Sequence, residues 1–133
     1  MTTERAPRVT IHRVYDHSPV ADGGYRALID RLWPRGVRKA DAPIDEWVKD
    51  AAPSAELRRW YGHEVPRFEE FTRRYLAELD SEPAAGAVGH LLEVATERPL
   101  VLVTATRDVD HSGAEVLRAY LAERMSAAHR PHR

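Results

Sequence analysis

The chain has 133 residues, a formal net charge of −1, 31% charged residues and no cysteine. That length suits one domain around one core, and the balanced charge excludes the global basic field of a non-specific nucleic-acid binder, so any anion recognition must be local. The missing thiol excludes disulfides, cysteine catalysis and cysteine-ligated zinc, and fits a cytosolic setting. No apolar run approaches membrane-spanning length and the first eight residues lack the apolar core of a signal peptide. A cytoplasmic protein without membrane contact is expected.

In chain order, residues 9–15 are rich in β-branched and aromatic side chains and follow a proline, which predicts a first strand. Residues 17–24, with Ser, Pro, Asp and two glycines, read as a loop, and residues 25–30 alternate as a second strand. The turn 31–36 closes it. Ile44, Trp47 and Val48 fall at helical spacing, which predicts a helix over 44–52 stopped by Pro53, with Ser54 capping a short helix that ends at Gly62. Pro66 suits the first position of a longer helix whose Phe68, Phe71, Tyr75, Leu76 and Leu79 form one apolar stripe ahead of Pro83. Val88, Leu91, Leu92 and Ala95 predict a further helix, ended by Arg98 and Pro99. Residues 100–104 form a continuous apolar run typical of a central strand buried on both faces. Ser112 to Glu115 has the capping-box pattern, and Ala114, Leu117, Leu121 and Met125 continue a last helix.

These elements predict an α/β fold: a small, mostly parallel sheet covered by helices in a single domain, with flexible ends at 1–7 and 127–133. Each strand is followed by charged or reactive groups: Tyr15 and Asp16, then Arg31 to Arg35, then Thr106, Arg107 and Asp108. If the strands are parallel, these clusters meet at the carboxyl edge, where open α/β sheets bind ligands. The first connection is barely long enough for a parallel crossover, which leaves an antiparallel first strand open.

The most informative segment is Asp30-Arg31-Leu32-Trp33-Pro34-Arg35-Gly36. Pro34 restricts its own φ and the residue before it, and Gly36 permits conformations closed to other residues, so the loop is stiff. Arg31 and Arg35 on such a loop suit a planar anion, a carboxylate or phosphate, because each presents a fixed fork of donors and stays charged.

Together with Arg13-Val14-Tyr15-Asp16, Lys39, Trp47, Lys49, Ala52-Pro53-Ser54, Leu57-Arg58, His63, Phe71, Tyr75, Glu78 and Leu79, that segment resembles the YeaO-like family, domain of unknown function 488. The resemblance spans most of the chain and implies a small bacterial cytosolic α/β protein. It implies no reaction.

The candidate binding residues are Arg13, Tyr15, Arg31, Trp33, Arg35, Lys39 and Arg107. For Arg31 and Arg35 the competing role is a structural ion pair with Asp16, Asp30 or Asp45, and for Trp33 it is core packing. Lys39 and Lys49 compete with the default of a solvated surface lysine. His63, with Glu64 beside it, and Asp108 are the candidate acid–base groups, against capping roles at helix ends. His12, Asp30, His63, Asp108 and His111 match no established metal-ligand spacing, so no metal is expected. No phosphate loop, nucleophile elbow or dinucleotide fingerprint is present, and no cofactor is expected.

Two functional classes follow. The first is a site for a small phosphate- or carboxylate-bearing ligand, in a cofactor-independent enzyme or a binding protein. The second is a non-catalytic nucleic-acid- or protein-binding module using Arg26, Arg35, Arg38, Lys39, Arg58 and Arg59. The stiff loop and balanced charge favour the first. Convergence of Arg31, Arg35 and Asp108 on a concave pocket separates the two.

Overall fold

In a computed structural model, which describes residues 9–16 and 23–128, four parallel strands form one sheet in the order β1-β4-β2-β3. They are β1 (Val9–Arg13), β2 (Tyr25–Leu28), β3 (Glu46–Trp47) and β4 (Leu100–Thr104). β4 is buried along its whole length and lies between β1 and β2, pairing Ile11 with Leu102 on one side and Ala27 with Leu102 on the other. The question of the first strand's direction is thereby answered: β1 runs parallel to β4. Because β4 is inserted between them, β1 and β2 never pair.

The helices are α1 (Ala55–Tyr61), α2 (Phe68–Leu79), α3 (Ala84–Ala95) and α4 (Gly113–Ala128). The Ser54 hydroxyl accepts the Leu57 amide at 3.1 Å and starts α1, while Gly62, at φ 55°, ends it by donating its amide to the Arg58 carbonyl. Both are the caps expected from the sequence. Pro66 lies in a single 3₁₀ turn, Val65–Arg67, that leads into α2. At α4 the Ser112 hydroxyl accepts the Glu115 amide at 3.4 Å, but the Glu115 carboxylate pairs with Arg118 instead of reaching back, so only half the capping box forms. α4 continues through Ala128. The end segments 1–7 and 129–133, and most of the 17–24 loop, lie outside the described residues.

The period-2 alternation of β4 divides the interior in two. Leu100 and Leu102 face a core into which all four helices insert, with Leu57, Phe71, Tyr75, Leu91, Leu117 and Leu121 among its members. Val101 and Val103 face the other way, onto Val14 and Leu28, and there the cover is a loop carrying Trp33, Val37 and Ile44, together with Trp47 of β3. The two indoles meet edge to face at 5.5 Å. Each also donates to a backbone carbonyl, Trp33 to Val37 at 2.6 Å and Trp47 to Asp30 at 2.7 Å.

This second layer corrects one expectation. Residues 44–52 form no α-helix: Glu46–Trp47 is β3, and Lys49–Ala51 is a 3₁₀ turn. The spacing of Ile44, Trp47 and Val48 covers a single helical turn, too little to outweigh pairing with the exposed edge of β2. The Asp45 amide bonds to the Arg26 carbonyl at 2.7 Å and the Val48 amide to the Leu28 carbonyl at 2.8 Å. Trp47 and Val48 then fall on opposite faces, in the loop-covered and helix-covered cores respectively. Strands β1 and β2 are also shorter than expected, ending at Arg13 and Leu28.

Candidate functional site

Parallel pairing brings the carboxyl ends of β1, β2 and β4 to one edge, and hydrogen bonds there tie the three following segments together. Arg13 donates Nε to the Thr106 carbonyl at 2.8 Å, joining the end of β1 to the loop after β4. The Tyr15 hydroxyl donates to the Arg35 carbonyl at 2.8 Å and holds the tip of the stiff loop from the β1 side. Gly36, just beyond, has φ 78°, a conformation that favours glycine. Asp30 accepts from the Thr104 hydroxyl at 2.7 Å through one carboxylate oxygen and from the Ala105 amide at 2.8 Å through the other. Burial pushes the Asp30 carboxyl up from its ordinary value, against the opposing pull of these two bonds and the Arg58 charge.

Beside this edge lies a cleft of about 610 Å³. Among the described residues its polar lining includes four arginines, Arg31, Arg35, Arg58 and Arg59, and a single carboxylate, Asp30. Tyr15, Trp33, Tyr61 and Phe71 supply aromatic surface, and the start of α4 at Gly113 and Ala114 closes one side. The Tyr61 and Phe71 rings stack at 4.4 Å between centroids, and the Tyr61 hydroxyl donates to the His111 carbonyl at 2.6 Å.

The arginines differ in how they are engaged. Arg31 donates Nε to the Pro53 carbonyl at 3.0 Å and a terminal nitrogen to the Ala52 carbonyl at 3.3 Å. It is structural, with backbone carbonyls taking the place of the Asp16, Asp30 or Asp45 partner expected from the sequence. The side chains of Arg35, Arg58 and Arg59 make no hydrogen bond or ion pair to another described residue, and all three residues are exposed.

Of the other expected site residues, Tyr15, Trp33 and His63 line the cleft and Arg13, Lys39, Arg107 and Asp108 do not. Arg13 instead lies 5.7 Å from the Tyr15 ring centre and buttresses it. Lys39 sits 5.9 Å from the Trp33 ring and Lys49 4.8 Å from Trp47, so both lysines cover the loop layer. Arg107 is exposed. Asp108 binds His111 Nδ1 at 2.9 Å, with His111 in turn edge-on to Phe68 at 5.4 Å. His63 has a left-handed backbone, φ 59°, directly after the αL residue Gly62. Among the described residues, Glu64 does not bond to it and nothing joins it to Asp108.

From the sequence, Arg58 is read as part of the family resemblance and, with Arg59, of a basic surface, and Asp30 as the start of the stiff segment, an ion-pair partner or a metal candidate, none of them as lining a cleft. A readable signal for Asp30 was its place immediately after the buried run Ala27 to Ile29, at a strand's carboxyl end. Tyr61 carried none, because its contact with His111 joins residues 50 positions apart.

The model of the inactive DUF488-N3 subclade matches residues 8–132, a span holding all the described strands and helices and the described cleft lining. The chain belongs to the DUF488 family. It is 46% identical over 114 residues to the uncharacterised protein Rv3073c of Mycobacterium tuberculosis, covering 85% of this chain and 92% of that protein. It is 41% identical over 109 residues to the uncharacterised protein YeaO of Escherichia coli, covering 82% and 92% respectively. The YeaO-like relationship read from the Arg31 to Gly36 segment is therefore that of this DUF488 chain to its own family. No solved structure matches the chain. Among its described residues no helix is long and apolar enough to cross a membrane.

Proposed function

We propose that this DUF488 protein binds a small phosphate- or carboxylate-bearing molecule in the carboxyl-edge cleft, as a cytoplasmic ligand-binding protein and not as an enzyme. The observation that carries the reading is that Arg35, Arg58 and Arg59 line one concave space with no side-chain hydrogen bond or ion pair to a described residue, the Arg58 charge acting on Asp30 only through space. A guanidinium left unpaired beside a cleft retains its full set of donors for a ligand, and charge-assisted bonds are the stronger class of hydrogen bond.

Two further observations favour binding over catalysis. The matching subclade is described as inactive. The candidate acid–base groups are also not assembled: Asp108 is engaged by His111 outside the cleft lining, and His63 has no carboxylate bonded to it among the described residues. A general acid or base needs hydrogen-bond reach to the group it serves. The alternative of an extended basic interface has less support. Arg26 and Arg38 are paired with Asp45 and Asp41, and Lys39 lies against Trp33.

The test is isothermal calorimetry and thermal shift with phosphate, sulfate and citrate on the wild type and on Arg58→Gln/Arg59→Gln. A saturable rise in melting temperature that the double variant loses supports the reading, because a ligand of the native state stabilises by mass action. Equal responses from both proteins, or none from the wild type, would overturn it.

A further inference from the structure

The cleft is larger and less polar than a bare inorganic anion requires. At about 610 Å³ it falls within the range, roughly 300–1,000 Å³, of clefts that enclose organic ligands between apolar walls and a few placed polar groups. Leu32 and Pro53 contribute apolar wall, backed by the nearly buried Ile29, Tyr61 and Phe71, and the half-buried Trp33 and exposed Tyr15 add aromatic surface.

The polar groups are also sorted by depth. The three arginines without a side-chain bond are exposed, whereas Asp30 is partly buried just beyond the end of β2. Each Asp30 carboxylate oxygen holds one protein donor, Thr104 or Ala105. A carboxylate oxygen offers about two acceptor directions, so each retains capacity for a further donor. A molecule with negative charge at its outer end, a flat body, and an N–H at its inner end would meet all of these groups at once.

We infer that the cleft accepts a phosphomonoester carrying a planar heteroaromatic ring, of nucleoside monophosphate size, with the phosphate at Arg35, Arg58 and Arg59 and an N–H of the base, from the ring or its exocyclic amino group, donated to Asp30. This rests on the anion-site reading above. It adds the ligand's size, its ring and its orientation. Aromatic and apolar walls bind a ring face irrespective of base identity, so a panel of bases should bind similarly.

The experiment is calorimetric titration of the full chain with adenosine, guanosine, cytidine and uridine monophosphates, with the corresponding nucleosides, and with inorganic phosphate. Monophosphates should bind at least about tenfold more tightly than either nucleosides or phosphate. Asp30→Asn should weaken the monophosphates by about tenfold while leaving inorganic phosphate unchanged, and Arg58→Gln/Arg59→Gln should reduce the monophosphates to the nucleoside level. If Asp30→Asn fails to fold, the wild-type ranking of the three ligand classes still decides the matter. Monophosphates binding no tighter than phosphate would overturn the ring inference and leave the anion site standing, whereas no binding of phosphate or monophosphate would overturn both.

Discussion

At the amino-terminal end of the sheet, charges are consumed by one another. Arg26 holds Asp45 through two guanidinium bonds, Tyr25 and His90 both bond to Glu46 at 2.7 Å, and Arg98 donates to the carbonyls of Gly23 and Gly24. At the carboxyl end, the side chains of Arg35, Arg58 and Arg59 make no hydrogen bond or ion pair to a described residue, and a partly buried carboxylate lies in the same cleft. The titration behaviour separates accordingly. The Asp45 carboxyl is held below its ordinary range by Arg26. Burial pushes Glu46 up, but the bonds from Tyr25 and His90 outweigh it and hold it low, and the Glu46 bond, with burial, pushes Tyr25 up to about 12. Asp30 goes the other way, up, by burial. One end of the sheet is closed on itself as structure, and the other is built as structure with charge left over. Unspent charge beside a cleft is the better marker of function than charge alone.

The largest expected effect tests whether both ends depend on the same support. Leu102 is fully buried in β4, and Leu102→Ala should cost about 2 to 5 kcal/mol in chemical unfolding through lost transfer energy and a residual cavity. A loss below about 1 kcal/mol would make β4 peripheral and uncouple the two ends. Next, Arg35→Lys keeps the charge and loses the planar fork, so anion affinity should fall about tenfold to a hundredfold while the melting temperature holds. Arg31→Lys should do the reverse, lowering stability by about 1 to 2 kcal/mol through its bonds to Ala52 and Pro53, with little change in affinity. Identical profiles for the two variants would erase the distinction between anchored and free arginines.

The pH dependence sharpens the contrast in sign. Asp30, with its folded value raised, contributes stability that is present below the ordinary carboxylate range and lost as pH rises through the folded value. Asp45 and Glu46, with folded values lowered, contribute stability that is present above that range and lost as pH falls through theirs. Melting curves from about pH 3 to about pH 7 should therefore show Asp30→Asn and Glu46→Gln removing slopes of opposite sign. Slopes of the same sign would contradict the assignment. The smallest effect belongs to Arg26→Gln, whose pair with Asp45 is 36% and 29% exposed at the two side chains; solvent screening limits its loss to under about 1 kcal/mol.

Elements with long or strongly punctuated patterns were legible in the sequence. α1 lay between Ser54 and Gly62, β4 was a bare apolar run, and the stripe Phe71, Tyr75, Leu79 is the buried face of α2. β3 was not, because two residues of edge pairing leave no period to read, and its partner lies 19 positions back in the register Ala27 to Glu46. The Arg31 to Gly36 segment was legible as part of the carboxyl edge, yet its tryptophan serves two purposes, lining the cleft and covering the second face of the sheet.

What the sequence determined by itself was therefore local and periodic: the caps, the buried strand, the rigid Trp33-Pro34-Arg35-Gly36 turn, and the family those residues mark. Propensity, capping and alternation act over a few neighbouring residues and can be read along the chain. The tertiary structure alone decided which charges cancel. Arg26 and Arg35 look alike in sequence, but a strand pairing delivers Asp45 to the first, while the packing of α1 sets Arg58 and Arg59 around the same cleft as the second. Ion pairing is set by distances of a few ångströms between residues far apart in the chain, and only the folded sheet fixes those distances.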